Sequence, residues 1–341
     1  MNIPERIAQE LNLNVNHVQN VIALLDEGNT VPFIARYRKE MHGTMDDQVI
    51  RQLADRLAYL RGLETRKEDV LRAIEEQGKL TGALRTAIEK AATLTEVEDL
   101  YLPFRPKRRT RASIAREKGL EPLAEALKKG TDLSAEQLTA PYVNAESGVD
   151  TARDALDGAL DILAEDCSVD AALRAHLRAL LRATGELTAE GKDAQDTVYA
   201  QYSSFCSSVR RLQSHQILAL NRGEREKVLK IDITCDEDAA EQLIARAVYR
   251  KPHPYEAELS AMCADAWKRL LFPSLSRELR KELTDDANEK AIATFALNLR
   301  PLLMQPPIKN KVVLGFDPAY RTGCKLAVVD PTGAVLDTAV I

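Results

Sequence analysis

The sequence predicts a mainly α-helical protein with a few β-strands close to its carboxy-terminal end. Of its 341 residues, 45% are hydrophobic and only 5% are aromatic. Ala, Leu, Glu, Arg and Lys are abundant, and these residues lose little side-chain freedom in a helix. Apolar residues recur every three or four positions over most of the chain, the period of an amphipathic helix. A chain of this length is also expected to form more than one core.

The first two helices are predicted near the amino terminus. In HVQNVIALLDEGNT the apolar residues follow a helical period, and Gly28 stands where the helix would end. In VPFIARYRKEMHG, Pro32 suits the first turn of a second helix and Gly43 suits its end. The two segments together predict a helix-turn-helix-like pair.

A long helix is predicted next, from Asp46 to about Gln77, because apolar residues keep the same spacing through this range. After it, the segment LTEVEDLYLPF has Thr95 followed three positions later by Glu98. This spacing is typical of a capping box at a helix start. Pro103 then breaks the pattern.

The strands are predicted in two places. Lys227 to Ile233 alternates imperfectly and predicts one strand in the middle of the chain, before a helical pattern resumes from Asp236 through Leu303. The segment QPPIKNK ends that pattern, and KVVLGFD, CKLAVVD and AVLDTAVI then predict three successive strands joined by turns. We therefore expect a helical region over 1–308 and a second domain over 309–341.

Charge and cysteine content limit the classes of function. The net charge of -5 and the pI near 5.7 exclude a polycation that coats nucleic acid along its whole length, so any such contact needs a local patch. The five cysteines are widely spaced and form no CxxC pair, which is typical of a reducing compartment. No apolar run approaches the ~20 residues of a membrane span, and the first residues are too polar for a signal peptide. We expect a soluble, cytoplasmic protein with no membrane partner.

One segment, FRPKRRTRASIAREKG, concentrates positive charge. Guanidinium and ammonium groups bind phosphate oxygens, and Pro106 in the segment and Pro103 just before it would keep the segment extended. The sequence therefore predicts a nucleic-acid contact there, and the alternative, that these side chains pair with acidic helices of the same chain, stays open. The candidate nucleic-acid-binding residues are Arg105, Lys107, Arg108, Arg109, Arg111, Arg116 and Lys118.

A second mixture of aromatic and basic residues lies on the second predicted helix. Phe33 and Tyr37 stand beside Arg36, Arg38 and Lys39. Such a set could stack bases and contact phosphate. Aromatic side chains are more often part of the core, and we expect that here.

Several long stretches resemble the Tex family of transcription accessory proteins. They are GNTVPFIARYRKEM, LTEVEDLYLPFRPKRRTRASIAREKGLEPLA, NRGEREKVLK, WKRLLFPSLSRELRKELTD, NLRPLLMQPP and VLGFDPAYRTGCKLAVVD. The resemblance covers nearly the whole chain in the family's order. It implies a helical amino-terminal region, then an RNase H-like domain of the YqgF type, helix-hairpin-helix modules and an OB-fold RNA-binding domain. We expect this chain to contain the first region and only the opening strands of the RNase H-like α/β domain.

The resemblance also places Asp317 at the end of the first RNase H-like strand, where that fold has its first metal-binding carboxylate. One carboxylate is too few, because two-metal hydrolysis needs several acids holding ions ~4 Å apart. We therefore interpret Asp317 as a structural or vestigial residue. No histidine has metal-ligand spacing and no P-loop is present, so we expect no catalytic residue, no metal and no cofactor.

These observations favour a scaffold that binds RNA or single-stranded DNA and assists the transcription or translation machinery, without being an enzyme. Two alternatives remain. One is an RNase H-like nuclease or resolvase in the full-length protein, and the other is a purely protein-binding helical module. The apolar strands VVLGF and LAVV also predict some homo-association.

Overall fold

Helices make up most of the chain in the computed structural model, which describes residues 2–105, 109–191, 197–306, 308–319 and 323–341. The predicted mainly α class, followed by strands, is confirmed. In the described residues no helix combines the length and the apolar character needed to cross a membrane. The α-helices are α1 Ile3–Leu11, α2 Val15–Asp26, α3 Val31–Tyr37, α4 Lys39–His42, α5 Asp47–Glu76, α6 Gly82–Lys90, α7 Leu94–Tyr101, α8 Arg111–Glu117, α9 Glu121–Lys129, α10 Ala135–Thr139, α11 Ala152–Ser168, α12 Ala171–Thr184, α13 Ser214–Arg225, α14 Glu237–Val248, α15 Glu256–Asp265 and α16 Phe272–Leu303.

The chain divides into two compact units. The first contains Met1–Leu187, Ser208–Arg210 and Ile233–Leu279, and the second contains Thr188–Ser207, Arg211–Asp232 and Arg280–Ile341. The predicted domain division near residue 308 falls inside the second unit and stays a prediction.

The amino-terminal helices pack around one apolar cluster. Ile7, Val18, Ile34 and Ile50 are fully buried in it. Helix α2 is confirmed as predicted, but the predicted second helix is divided into α3 and α4 because the backbone of Arg38 leaves the helical region, with φ -129° and ψ 38°. The helix-turn-helix-like character of this region stays a prediction.

The predicted long helix is confirmed as α5, and its start is fixed by Asp46, whose carboxylate accepts a hydrogen bond of 2.8 Å from the Val49 amide. Along its length, its apolar side chains pack first into one hydrophobic cluster and then into another. Leu53 and Leu60 belong to the amino-terminal cluster, whereas Val70 belongs to a second cluster with residues of α6 and α7.

The predicted capping box at Thr95 and Glu98 is wrong, because helix α7 starts two residues earlier. The extended residue before it is Thr93, with φ -132° and ψ 156°, and its hydroxyl accepts the Glu96 amide. The Glu96 carboxylate reaches back to accept the Ala92 amide at 2.7 Å. The cap therefore uses the same chemistry at a different position.

A charged network is buried among α7, α12 and α16. The Nε of Arg174 and the Nη2 of Arg178 each donate to the Asp99 carboxylate at 2.8 Å. Arg178 also pairs with Glu278. The side chains of Arg174 and Asp99 are only 7% and 9% exposed, so both charges depend on their partners for compensation.

Helix α15 continues into α16 through one π-helical stretch, Ala266–Leu271. Trp267 lies in this stretch and is 1% exposed. Its ring centroid is 5.3 Å from that of Phe272. The extra residue of a π-turn rotates the helix locally, and here it accompanies burial of the chain's one tryptophan.

The first sheet has three strands, β1 Glu186–Glu190, β2 Ser204–Ser208 and β3 Lys230–Thr234, in the order β2-β1-β3. The predicted middle strand is confirmed as β3, but it starts at Lys230 because Lys227 has a positive φ of 60°. Strands β1 and β2 were not predicted. In β1, Leu187 and Ala189 alternate with polar residues and are buried, but two apolar residues are too short a pattern to predict a strand. Strand β2 is mostly Ser and has no such alternation.

The second sheet confirms the three strands predicted at the end of the chain. They are β4 Val313–Asp317, β5 Lys325–Val329 and β6 Val335–Val340, in the order β4-β5-β6, and both pairs are antiparallel. Asp330 forms the turn before β6, because its carboxylate accepts hydrogen bonds from the amides of Thr332 and Ala334 at 2.8 and 2.9 Å.

Candidate nucleic-acid interface

The basic segment runs from a short 3-10 turn, Leu102–Phe104, into helix α8. Thr110 fixes the helix start through a capping box, in which its hydroxyl accepts the Ser113 amide and the Ser113 hydroxyl accepts the Thr110 amide. Two of the predicted phosphate-binding residues, Lys107 and Arg108, lie outside the described residues. Of the other five, Arg105 follows the 3-10 turn and Arg109 precedes α8. Arg111 and Arg116 lie in α8, and Lys118 follows it.

Arg116 is partly buried against helix α11, with 30% of its side chain exposed. Its guanidinium donates to the carboxylates of Glu165 at 2.7 Å and Asp166 at 2.5 Å, and Glu121 lies 3.5 Å away. Burial alone would lower the pKa of Arg116, but the hydrogen bond to Glu165 and the charge of Asp166 raise it. This side chain joins α8 to α11, as the alternative interpretation of the basic segment expects.

Lys118 also bonds within the unit, because its ammonium donates to the Gly148 carbonyl at 2.6 Å.

Arg109 differs from Arg116 and Lys118 in being mostly exposed to solvent. Its guanidinium pairs with Glu117 at 3.3 Å, but the two side chains are 72% and 61% exposed. An ion pair in that position is weak, so it competes poorly with a phosphate.

Arg105 and Arg111 are exposed, and neither forms an ion pair with another residue in the parts of the chain that the structure describes. Arg111 borders a small concave surface together with Asp157 and Asp161. Burial raises the pKa of the Asp161 carboxyl, and the charges of Arg269 and Arg111 oppose this. Arg111 thus affects the Asp161 carboxyl only through its charge, and the N–H groups of its guanidinium stay available to a ligand.

The described part of the segment therefore separates into two groups. Arg116 and Lys118 hold helix α8 in place, whereas Arg105, Arg109 and Arg111 offer guanidinium groups to solvent. The sequence could not separate the groups, since the carboxylates that Arg116 meets lie about fifty positions further along the chain. Arg forks in this exposed setting suit phosphate oxygens.

Asp317 is the last residue of β4, where it stands opposite Lys325 of β5. These two residues border a concave surface of about 630 Å³ on the second sheet. Among the described residues, no three His, Cys, Asp or Glu side chains are grouped so that they could hold a metal ion. A structural role for Asp317 stays a prediction.

Helix α3 places its aromatic residues differently from the expected core position. Phe33 is partly buried, but Tyr37 is 58% exposed, so the core interpretation is wrong for Tyr37. The two rings are 5.3 Å apart, and the Arg38 guanidinium lies over the Phe33 ring at the same distance. Sequence periodicity missed this because a seven-residue helix gives too short a pattern to assign faces.

The fold and the exposed arginines define a class of protein. It has a mainly helical chain with a local cationic surface, and an antiparallel sheet follows the helices in the sequence. Comparison with known proteins identifies the family within that class. Three family models match: the Tex-like protein N-terminal domain over residues 1–75, the Tex central region-like model over 131–295 and the Tex protein YqgF-like domain over 311–341. The chain belongs to the Tex family.

Named relatives agree with this assignment. Transcriptional accessory protein Tex of Neisseria gonorrhoeae is 43% identical over 352 residues, covering 100% of this chain and 46% of the relative. Protein tex of Bordetella pertussis is 41% identical over 353 residues, covering 98% and 45%. S1 RNA-binding domain-containing protein 1 of Pongo abelii is 30% identical over 357 residues, covering 99% and 36%. The chain spans about half the length of the bacterial relatives.

Proposed function

We propose that this chain is a cytoplasmic transcription accessory scaffold that binds RNA or single-stranded DNA through the exposed guanidinium groups of its basic segment. The observation that carries the proposal is the exposure of Arg105, Arg109 and Arg111 in a chain whose net charge is negative. The names of two relatives support it, since one is a transcriptional accessory protein and another is named for an RNA-binding domain. Partners in the transcription or translation machinery belong to the same proposal.

Binding rather than catalysis is the proposed mode of action. Guanidinium groups on an exposed helix start can hold phosphates, which fixes the position of a polynucleotide without reading its sequence. In the described part of the basic segment, the hydroxyls of Thr110 and Ser113 form the capping box of α8, and Glu117 pairs with Arg109. We propose that the chain is not itself an enzyme, and an oligonucleotide incubated with it and Mg²⁺ is expected to stay intact.

Reversing two charges in the basic segment tests the phosphate contact. In the double variant Arg109→Glu with Arg111→Glu, affinity for a single-stranded oligonucleotide in dilute buffer is expected to fall on the order of tenfold, because two attractive contacts become repulsive. Fluorescence anisotropy of a labelled oligonucleotide measures this.

The matched control is Arg72→Glu with Lys281→Glu, which changes the net charge by the same amount at two exposed sites. It is expected to change affinity much less, because the effect is local. Equal losses in the two double variants, or no loss in either, would contradict a contact at the basic segment. Thermal unfolding followed by circular dichroism checks that all variants remain folded.

We also propose that the second sheet associates with a second copy of the chain. Strands β4 and β6 are the edges of the sheet, and Leu314, Phe316 and Leu336 are 59%, 56% and 59% exposed. Exposed apolar edge strands tend to pair with other chains. Light scattering after gel filtration is expected to show a mass that rises with concentration, and Phe316→Glu is expected to keep the chain monomeric. A monomer at all concentrations would refute this association.

A further inference from the structure

The surface formed by α3 and α4 has the components of a second contact with a polynucleotide. Arg36, Arg38 and Lys39 are exposed, and among the described residues none of them forms an ion pair with a carboxylate. Arg38 donates instead to the Tyr37 carbonyl at 3.2 Å and lies over the Phe33 ring. The cations here are not committed to neighbouring acids, in contrast to Arg116.

Tyr37 stands out from this surface with 58% of its area exposed. Its ring centroid is 5.3 Å from that of Phe33, with an angle of 47° between the two planes, so Phe33 restrains the exposed Tyr37 ring on one side. A partly anchored aromatic ring loses little further freedom when a flat ligand stacks on it. An exposed aromatic ring beside exposed cations best fits a ligand that has a flat ring next to a negatively charged group.

A cleft of about 720 Å³ lies beside Arg36 and Lys39, between α3, α4 and the start of α5. His42 lines it and is 1% exposed, and neither of its ring nitrogens has a hydrogen-bond partner. A buried polar group without a partner is rare in proteins and destabilises the fold. The wall of the cleft therefore contains a polar ring whose nitrogens are not satisfied by the described protein groups.

We propose that the α3–α4 surface binds single-stranded RNA or DNA, with a base stacked on Tyr37 and the adjoining phosphates held by Arg36 and Lys39. This inference rests on the proposed function and adds selectivity to it. Bases of a duplex are already stacked on one another and do not offer a free face, whereas an unpaired base can stack on an aromatic side chain. The basic segment supplies charge, and the α3–α4 surface distinguishes single strands from duplexes.

The experiment compares oligonucleotides of about 12 nucleotides, a length within the usual site size, as RNA, single-stranded DNA and duplex DNA. In Tyr37→Ala, affinity for both single strands is expected to fall about 5- to 150-fold, the range for loss of one stacked base. Duplex affinity is expected to stay the same. Tyr37→Phe keeps the ring and is expected to retain most of the binding.

Tyr59→Ala is the matched control. Tyr59 is also an exposed tyrosine, at 40%, with the Arg56 guanidinium 4.9 Å from its ring centroid, but it lies on α5 rather than on α3 or α4. It is expected to bind like the unchanged chain. Photo-crosslinking of an oligonucleotide that carries 5-iodouridine should place the attachment on the α3 peptide.

The outcomes separate the two proposals. If Tyr37→Ala binds single strands as Tyr59→Ala does, stacking at α3 is excluded, while the Arg109 and Arg111 variants still judge the basic segment. If the unchanged chain binds no oligonucleotide in dilute buffer, both proposals fail. The inference is supported if Tyr37→Ala loses the preference for single strands over duplex and Tyr59→Ala keeps it.

Discussion

Replacing Asp99 with alanine is expected to lower the free energy of unfolding by about 3–5 kcal/mol, the usual loss when one partner of a buried ion pair is removed. Asp99 accepts hydrogen bonds from both Arg174 and Arg178 at 2.8 Å. Without it, the Arg174 guanidinium, 7% exposed, would keep one carboxylate partner among the described residues, Glu278 at 3.5 Å. The network ties α7 to α12, so urea denaturation followed by circular dichroism should show the loss.

An exposed ion pair provides the control for this prediction. Arg85 pairs with Glu75 at 3.4 Å, and their side chains are 46% and 67% exposed. Many such pairs contribute nothing measurable, so Arg85→Ala is expected to leave the transition unchanged. Similar denaturation midpoints for the Asp99 and Arg85 variants would show that the buried network is not a main support of the fold.

Trp267→Ala is the second substitution with a large expected effect. The side chain is 1% exposed and packs against Phe272 within the π-helical stretch. Removing so large a buried ring leaves a cavity, and substitutions of this kind destabilise by about 3–5 kcal/mol. Circular dichroism is the measurement required, because the variant loses the chain's one tryptophan and its fluorescence.

Phe295→Ala tests whether that loss comes from burial. Phe295 lies on α16 with 66% of its area exposed, so its truncation should leave no cavity. A stability loss as large as that of Trp267→Ala would mean that Phe295 is covered in solution. An unchanged transition in both variants would contradict the packing around the π-helical stretch.

Long periodic elements were predictable from the sequence, because their pattern repeats often enough to define a face. Helix α5 is the clearest example, with its predicted ends at Asp46 and Gln77 one residue outside the observed helix. Strands β4 to β6 were found because apolar runs alternate with turn residues there. Strands β1 and β2 were missed because each has only five residues: β1 has just two alternating apolar residues, and β2 is mostly Ser.

The candidate site was only partly predictable. A run of basic residues indicates positive charge, but it does not tell which side chains meet acids from distant helices. Arg116 resembles Arg109 in sequence, yet the structure pairs one with Glu165 and Asp166 and leaves the other exposed. Tyr37 shows the converse error, since residue type predicted burial and the short α3 helix exposes the ring.

The most direct test of the account is the salt dependence of single-strand binding, measured for the unchanged chain and for a variant with Arg105, Arg109 and Arg111 all changed to Gln. Each phosphate contact contributes about 0.7 to the slope of log affinity against log salt for a single strand, so the slope is expected to become shallower by about 2. Binding too weak to detect in dilute buffer, or an unchanged slope, would contradict the claim that these exposed arginines hold the polynucleotide.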